Sequence, residues 1–561
     1  MARAMWLLVC TFAVLAFMAS ANVVQHTFRV GNLTVNPLCE ERVIVAVNGQ
    51  FPGPTIRVQE GDTLVVHVIN ESPYNISIHW HGIFQKLSAW ADGPAYVTQC
   101  PMVPGNSYTY RFNVTAQEGT LWWHAHVSLL RATVYGALII HPRAGRSYPF
   151  IKPHKEFPIV IGEWWNANVV DVEDEATLTG GAPNISNAYT INGRPGDLYP
   201  CTSIKTHKIE VVQGKTYMLR IINAAISNQH FFKIAGHNLT VVGIDATYTE
   251  PYVTNVVVVA PGQTADVLFV ANGPPGAYYI AARPYATAQG IDFDDTTTTA
   301  ILQYKGPTSS ATPLMPVLPA LFDTPTAHRF YSNLTALRGW GHKVPLHVDE
   351  HMFMTVGFGL EPCEENATCA GLNGMRFAAS LNNASFRLPT TLSMLQAHHS
   401  GVQGIFTDDF PDTPPLVFDY TNANASQLVS TTLKSTRAKR LAYNSTVEIV
   451  FQNTAIVGVE NHPMHLHGFN FYVLAQGFGN YDSATHRSMF NLVNPQVRNT
   501  IAVPVGGWAV VRFRANNPGV WQLHCHLDAH LTWGLSTAFV VDNGPTASST
   551  LPPPPPDLPR C

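Results

Sequence analysis

Three stretches of this chain share one frame: Gly119-Thr-Leu-Trp-Trp-His124-Ala-His126, Gly276-Ala-Tyr-Tyr-Ile-Ala281-Ala-Arg283 and Gly519-Val-Trp-Gln-Leu-His524-Cys525-His526. Each begins at a Gly, continues through an apolar or aromatic run and ends at a pair of positions two residues apart. The first and last copies carry His at both positions, while the middle copy carries Ala281 and Arg283. An upstream element repeats in step. Gly61-Asp-Thr-Leu-Val-Val leads to His79-Trp80-His81-Gly82, and Ser445-Thr-Val-Glu-Ile-Val leads to His462-Pro-Met-His465-Leu-His467-Gly468. In the middle, Gly214-Lys-Thr-Tyr-Met-Leu leads only to Ala235-Gly236-His237. Self-similarity of this kind marks related structural units joined in series, so the chain reads as three domains whose outer two hold the histidines.

The local pattern is β. Runs such as Glu41-Val47, Thr63-Ile69, Ile209-Val212, Asn255-Val259 and Thr446-Phe451 lie between Gly, Pro and Asn turns, with almost no helical periodicity. Short strands at such spacing predict β-sandwiches. The domains are placed at residues 22–147, 148–305 and 326–561. A Pro-, Thr- and Ser-rich linker occupies 306–325, and a polyproline stretch, Pro552 to Pro556, precedes Cys561. The pair His398-His399 sits in a polar segment and reads as loop. His237, alone in the middle unit, reads as a hydrogen-bonded core histidine.

Residues 1–21 stand apart: Arg3, an apolar run from Met5 to Met18 and Ala19-Ser20-Ala21 have the form of a cleaved secretory leader. The apolar run is short for a membrane span, and no later stretch replaces it. The full sequence is 46% hydrophobic with 12% charged residues and a formal net charge of −4, which argues against a basic nucleic-acid-binding surface. Secretion also fits eleven N-x-S/T sites, at Asn32, Asn70, Asn75, Asn113, Asn184, Asn238, Asn333, Asn366, Asn383, Asn424 and Asn444. Cys10 leaves with the leader. Of the seven cysteines that stay, Cys525 lies between two histidines and is the candidate free thiolate. Cys39, Cys100, Cys201, Cys363, Cys369 and Cys561 form an even set for which sequence allows fifteen pairings.

Strand geometry gives the histidine spacings a meaning. Residues two apart share a face, so His79 with His81, His124 with His126, and His465 with His467 each point one way. On the last motif His524 and His526 face one side and Cys525 the other, so one strand can join two metal sites. His462 lies three before His465 and falls on the Cys525 side, and His530, five after Cys525, can return to it. A thiolate with two imidazoles is the donor set of a blue copper site. Eight histidines remain on the other face, enough to hold three more ions.

His-Trp-His-Gly, His-Ala-His, His-Pro-Met-His-Leu-His-Gly and His-Cys-His-Leu-Asp-Ala-His together resemble the four signatures of the multicopper oxidases. Asn48-Gly-Gln-Phe-Pro-Gly-Pro-Thr-Ile56 and Trp90-Ala-Asp92-Gly-Pro94 look more narrowly like a plant laccase. The resemblance implies an all-β chain of three consecutive cupredoxin-like Greek-key β-sandwiches. It also implies four copper ions: one type 1 at His462, Cys525 and His530, one type 2 at His79 and His465, and two type 3. Of the type 3 ions, one would take His81, His124 and His526, the other His126, His467 and His524. By similarity to ascorbate oxidase, Cys39 would pair with Cys201 and Cys100 with Cys561, leaving Cys363 with Cys369. The implied activity is a secreted, monomeric enzyme of the apoplast or cell wall. It would oxidise phenols such as monolignols one electron at a time and reduce dioxygen to water, in lignin polymerisation or breakdown, with no nucleic-acid or membrane partner.

Several residues carry two readings each. Asp92 sits in an Asp-Gly-Pro turn, where Asp commonly bonds nearby backbone, and the resemblance also gives it a part in supplying protons for oxygen reduction. Asp528 lies between Cys525 and His530, as a partner that orients a ligand or as a solvated carboxylate. Leu535 matches the axial position of the type 1 site and cannot coordinate, which raises the potential relative to a Met; it also separates the chain from ascorbate oxidase, which has Met there. Met464 packs in the core. Asn228 is placed loosely at a substrate mouth. A copper-free wall protein would have lost ligands, and a simple electron carrier has no use for eight further histidines; this chain keeps all of them.

Overall fold

The structure, a computed structural model, describes residues 22–202, 205–306, 312–365, 367–424 and 431–561. The leader at 1–21, the sequon at Asn366 and residues 307–311 of the expected linker lie outside the described residues. The chain is all-β, three Greek-key sandwiches in series. The strands read from the sequence lie where the β-rich runs put them, for example Arg42–Val47, Thr63–Asn70, Lys208–Val211 and Thr446–Asn453.

The sequence repeat is a repeat of topology. In the first sandwich Gly119–Ala125 lies between Tyr135–His141 and Ile78–His81, antiparallel to both. In the second, Ala277–Tyr285 lies between Thr298–Tyr304 and Gln229–Ile234, and in the third Gly519–Cys525 lies between Ser536–Val541 and His462–Leu466, again antiparallel. In all three an early strand (Ile56–Gln59, Lys208–Val211, Ala438–Leu441) closes the sheet by running parallel to the last strand. A second sheet covers each of these, and the space between is filled with Val, Ile, Leu, Phe and Trp side chains.

The domains share buried contacts. Ala89, Trp90 and Val97 of the first enter the core of the third, and Ala502 of the third enters the core of the second. Arg220 of the second domain is fully buried, bonding Glu156 and Asp266 of its own domain and Thr120 of the first. Disulfides join Cys39 to Cys201, Cys100 to Cys561 and Cys363 to Cys369, and Cys525 is a buried free thiol. The second of these ties the C-terminal tail to the first domain, where Trp90 Nε1 donates to Pro552 O at 2.8 Å.

Short helices lie between the sheets: α1 (Val169–Thr179), α2 (Thr324–Ser332), α3 (Met394–Ser400), α4 (Ser483–His486) and α5 (Asp528–Thr532). Three expectations are corrected here. The boundary placed between 325 and 326 cuts α2, whose Ala327, Phe330 and Tyr331 are in the core of the second domain. Leu314 and Leu321, on the expected linker, also bond that domain's backbone. His398 and His399 are on α3 rather than a loop; Ser393 caps its N-terminus and Gly401 ends it in the left-handed conformation. The sequon at Asn70 is closed to a glycan, because Asn70 is fully buried and its amide donates to Tyr74 O and Met102 O at 2.8 and 2.9 Å. The asparagines at 32, 75, 113, 184, 238, 333, 424 and 444 are exposed, and Asn383 is half-buried. No helix among the described residues is long and apolar enough to cross a membrane.

Candidate metal centre

The repeated strands bring the histidines to one place. His79 faces His124 across the sheet of the first domain, and His465 faces His524 across that of the third. The two sheets meet so that the rings of His81 and His465 stack 3.8 Å apart and those of His79 and His467 lie 4.0 Å apart. The potential donor atoms of His79, His465 and His467 group together, as do those of His79, His81 and His124, and those of His126, His467 and His524. His526 joins through its Nε2, 3.1 Å from His81 Nδ1.

Backbone and side-chain acceptors fix which nitrogen of each ring is free. The Nδ1 atoms of His79, His124, His465 and His524 donate to the carbonyls of Asp92, Ala125, Asn499 and Cys525 at 2.8–3.0 Å. His467 Nδ1 donates to Asp92 Oδ2 at 2.9 Å. That leaves Nε2 of His79, His124 and His465 buried with no protein partner, and brings Nε2 of His467 and His524 within 3.1 Å of each other. His81 is turned the other way: Nε2 meets Asn499 Oδ1 and Thr500 Oγ1 at 3.1 and 3.2 Å, so Nδ1 faces inward. Holding one ring nitrogen to orient the other is how proteins prepare imidazole ligands. Burial, then the neighbouring imidazoles, pushes His81, His465 and His467 well below the usual histidine range, and burial takes His524 down to about 3. The rings are therefore neutral, with lone pairs available.

On the other face of Gly519–Cys525, Cys525 Sγ lies 3.5 Å from His530 Nδ1 and 3.8 Å from His462 Nδ1. Burial pushes the thiol pKa well above its ordinary value, a penalty that a bound cation removes by stabilising the thiolate. Phe358 packs edge-on against both imidazoles. Two imidazoles and a sulfur at these separations fit a trigonal copper, and the eight inward nitrogens fit a cluster of imidazole-bound ions.

Asp92 does not bond backbone with its side chain, as the turn reading would have it; its carboxylate is fully buried beside His467 and 3.4 Å from His79 Nδ1. Asp528 is only partly exposed and is ion-paired. Its Oδ2 accepts from Arg131 Nε at 3.0 Å, and Arg131 also donates to Ala225 O and His526 O, so one guanidinium touches all three domains. Burial raises the Asp528 pKa, with Arg131 opposing. Leu535 is fully buried, its N–H donating to His530 O and its carbonyl accepting from Cys525 N. Met464 is core, and His237 is buried between Ala235 O and Tyr304 OH, both at 2.7 Å. Asn228 turns its amide inward to Tyr189 OH at 2.8 Å instead of offering it to a mouth.

Sequence reading missed Arg131, Asn499, Thr500 and Glu460. Glu460 Oε2 lies 3.3 Å from His530 Nε2, the ring nitrogen turned away from Cys525. It missed Gly262 too, which brings the middle domain against the cluster: a Cβ there would stand 2.8 Å from the His526 ring and 3.1 Å from that of His81.

Family models described as multicopper oxidase match residues 29–145, 155–307 and 409–545. The chain is 60% identical to Laccase-7 of Arabidopsis thaliana over 98% of both proteins, and 56% identical to Laccase-24 of Oryza sativa subsp. japonica over the full length of both. The chain belongs to the multicopper oxidases, in the plant laccase group. Its fold superposes on the laccase of Botrytis aclada with a TM-score of 0.73 at 28% identity, covering 95% of this chain and 90% of that one. This laccase is thus a copper-dependent oxidoreductase that passes electrons to dioxygen, and the two histidine clusters on opposite faces of one strand are the place in it suited to hold copper.

Proposed function

We propose that this laccase takes single electrons from small phenols, monolignols among them, at the Cys525 centre and passes four to dioxygen at the eight-histidine cluster, giving water. The observation that carries the reading is the segment His524-Cys525-His526, where the strand Gly519–Cys525 ends. Its sulfur faces His462 and His530 while its imidazoles face the cluster, so a few covalent bonds separate electron entry from oxygen reduction. In this reading His462, Cys525 and His530 hold the type 1 copper, and His79 and His465 the type 2. His81, His124 and His526 hold one type 3 copper, and His126, His467 and His524 the other. Bound copper supplies the redox chemistry, and the protein supplies position, potential and protons.

Each residue has a stated part. Glu460 keeps the proton on His530 Nε2 at the outer edge of the ring, where a phenol approaches. Asp92 holds the Nδ1 proton of His467 with a carboxylate whose Oδ1 is unbonded, the group best placed to hand a proton toward oxygen. Asp528 acts on His526 through Arg131. Leu535 offers no donor and so keeps the type 1 potential high. The disulfides and exposed sequons support secretion after removal of residues 1–21; the proposed role is that of a monomer acting in lignin polymerisation or breakdown in the cell wall.

Oxygen uptake measured against monolignols, ascorbate and ferrous iron tests this. The expected order is phenols well ahead of the other two. Preference for ascorbate or for ferrous iron would assign the chain to a different oxidase on the same scaffold.

A further inference from the structure

The middle domain contributes no imidazole to either cluster, yet it supplies α1, and α1 touches both outer domains. The Glu173 carboxylate on this helix is half-buried, between them. Its Oε2 accepts from Leu129 N at 2.8 Å and from Ser128 Oγ, directly downstream of His126. Its Oε1 accepts from Thr532 Oγ1 at 3.0 Å, on the helix α5 that carries His530. An ionised carboxylate is an acceptor only, and here it satisfies three donors from two other domains.

The rest of α1 is gripped on the same two sides. Val169 and Val172 pack with Leu129 and Ala132 of the first domain. At the other end Arg376 of the third domain donates to the carbonyls of Thr177 and Leu178, and Ala370 N and Phe377 N donate to Thr179 O and Gly180 O at 2.9 and 2.8 Å. Ser128 sits in the left-handed region at φ 53, a conformation that persists only when its surroundings hold it.

We propose that Glu173 is a positioning residue of this laccase: from the domain without copper ligands, it fixes the segment after His126 and the helix bearing His530 relative to each other. The two centres thereby keep one mutual geometry. This rests on the copper assignment above for its consequence at the metals; the brace itself is a set of hydrogen bonds.

The test uses the copper-loaded, full-length protein, with hydrogen exchange, blue absorption and a redox titration measured on the same samples. Glu173→Ala should speed exchange about tenfold or more at 128–132 and 528–533 together, since each segment loses a hydrogen bond to a charged group. It should also shift the blue band and its potential. Glu173→Gln, which can still accept from Leu129 and donate to Thr532, should restore both. Thr532→Val removes one limb only, and should speed exchange at 528–533 and move the blue band while leaving 128–132 unchanged; it serves if Glu173→Ala does not fold. Unchanged exchange at 528–533 in these variants would overturn the brace. Faster exchange with an unmoved band and potential would overturn the positioning role. A wild-type protein with no blue band would overturn the copper assignment instead.

Discussion

The outer and middle domains present the same strand to the same neighbours, and only the outer ones present imidazoles there. Where the first and third domains have His126 and His526, the second has Arg283, which donates to Pro319 O and Thr297 Oγ1 and so ties down the chain leaving that domain. Where they have His124 and His524, it has Ala281, fully buried. The frame sets where a side chain goes, and the residue placed there sets whether the position binds metal or builds a joint. The middle domain still borders the cluster, because Gly262 stands against two of its rings and Gln263 donates to Thr500 O at 3.0 Å.

Gly262→Ala should have the largest effect on the cluster. The new Cβ must displace the rings of His526 and His81, and the φ of +89° disfavours any side chain. Misplacement of reacting groups by about 1 Å costs on the order of 100-fold in rate, so oxygen reduction should fall by about that much while the blue band at Cys525 persists. Gly276→Ala, at the frame glycine of the same domain, meets nothing closer than 3.9 Å and should change neither. Full oxygen turnover in Gly262→Ala would mean that the cluster does not depend on this wall.

Asp92→Asn comes next. An amide oxygen can still accept from His467 Nδ1, so geometry is kept and the acidic group is lost. Reoxidation of the reduced enzyme should slow about 100-fold, the scale of one general acid, with reduction by phenol nearly normal. Equal reoxidation rates would leave Asp92 only an orienting part.

The middle domain also carries a buried carboxyl with a measurable signature. Burial pushes Glu163 up to about 7 from its ordinary 4.5, and it accepts from Ile226 N and Ser227 N. A carboxyl held above its unfolded value costs stability as pH rises from about 4.5 to 7, because the unfolded chain releases its proton first. The gap amounts to about 3 kcal/mol. Glu163→Gln removes this dependence, so its unfolding midpoint relative to wild type should climb between pH 5 and 7. A difference that is flat with pH would show that Glu163 ionises as an ordinary carboxyl.

Leu535→Met is the mildest change. The swap nearly conserves volume and should cost under about 1.5 kcal/mol. A thioether that reaches the metal favours the cupric state, and a one-electron couple shifts by about 59 mV per tenfold change in equilibrium. A lower potential with unchanged copper content is expected in a redox titration of the blue absorption. An unchanged potential with the sulfur within reach of copper would refute the tuning role of Leu535.

How much of this the sequence could say follows from where each signal lies. The histidines were legible because a strand puts residues two apart on one face, and a threefold repeat showed which copies use it. Helix α1 had signals that the β-rich surroundings obscured: Asn168 as cap, buried Val169, Val172 and Ala176, and Gly180 at its end. Arg131, Asn499, Thr500, Glu460 and Gly262 carry no local pattern at all. They reach the site from loops, turns, one short helical turn and the start of a strand, and domain packing sets their approach. The same is true of Asn70, whose sequon is local and whose burial is not.

If one strand serves two metal sites, the number of copper ions per chain must show it. Metal-replete wild-type protein should hold four copper ions per chain with an intense blue absorption, from the ligand sets above. Cys525→Ser should hold three, with the blue colour and phenol oxidation gone and the fold intact. A single copper in the wild type, or blue colour retained in Cys525→Ser, would contradict it.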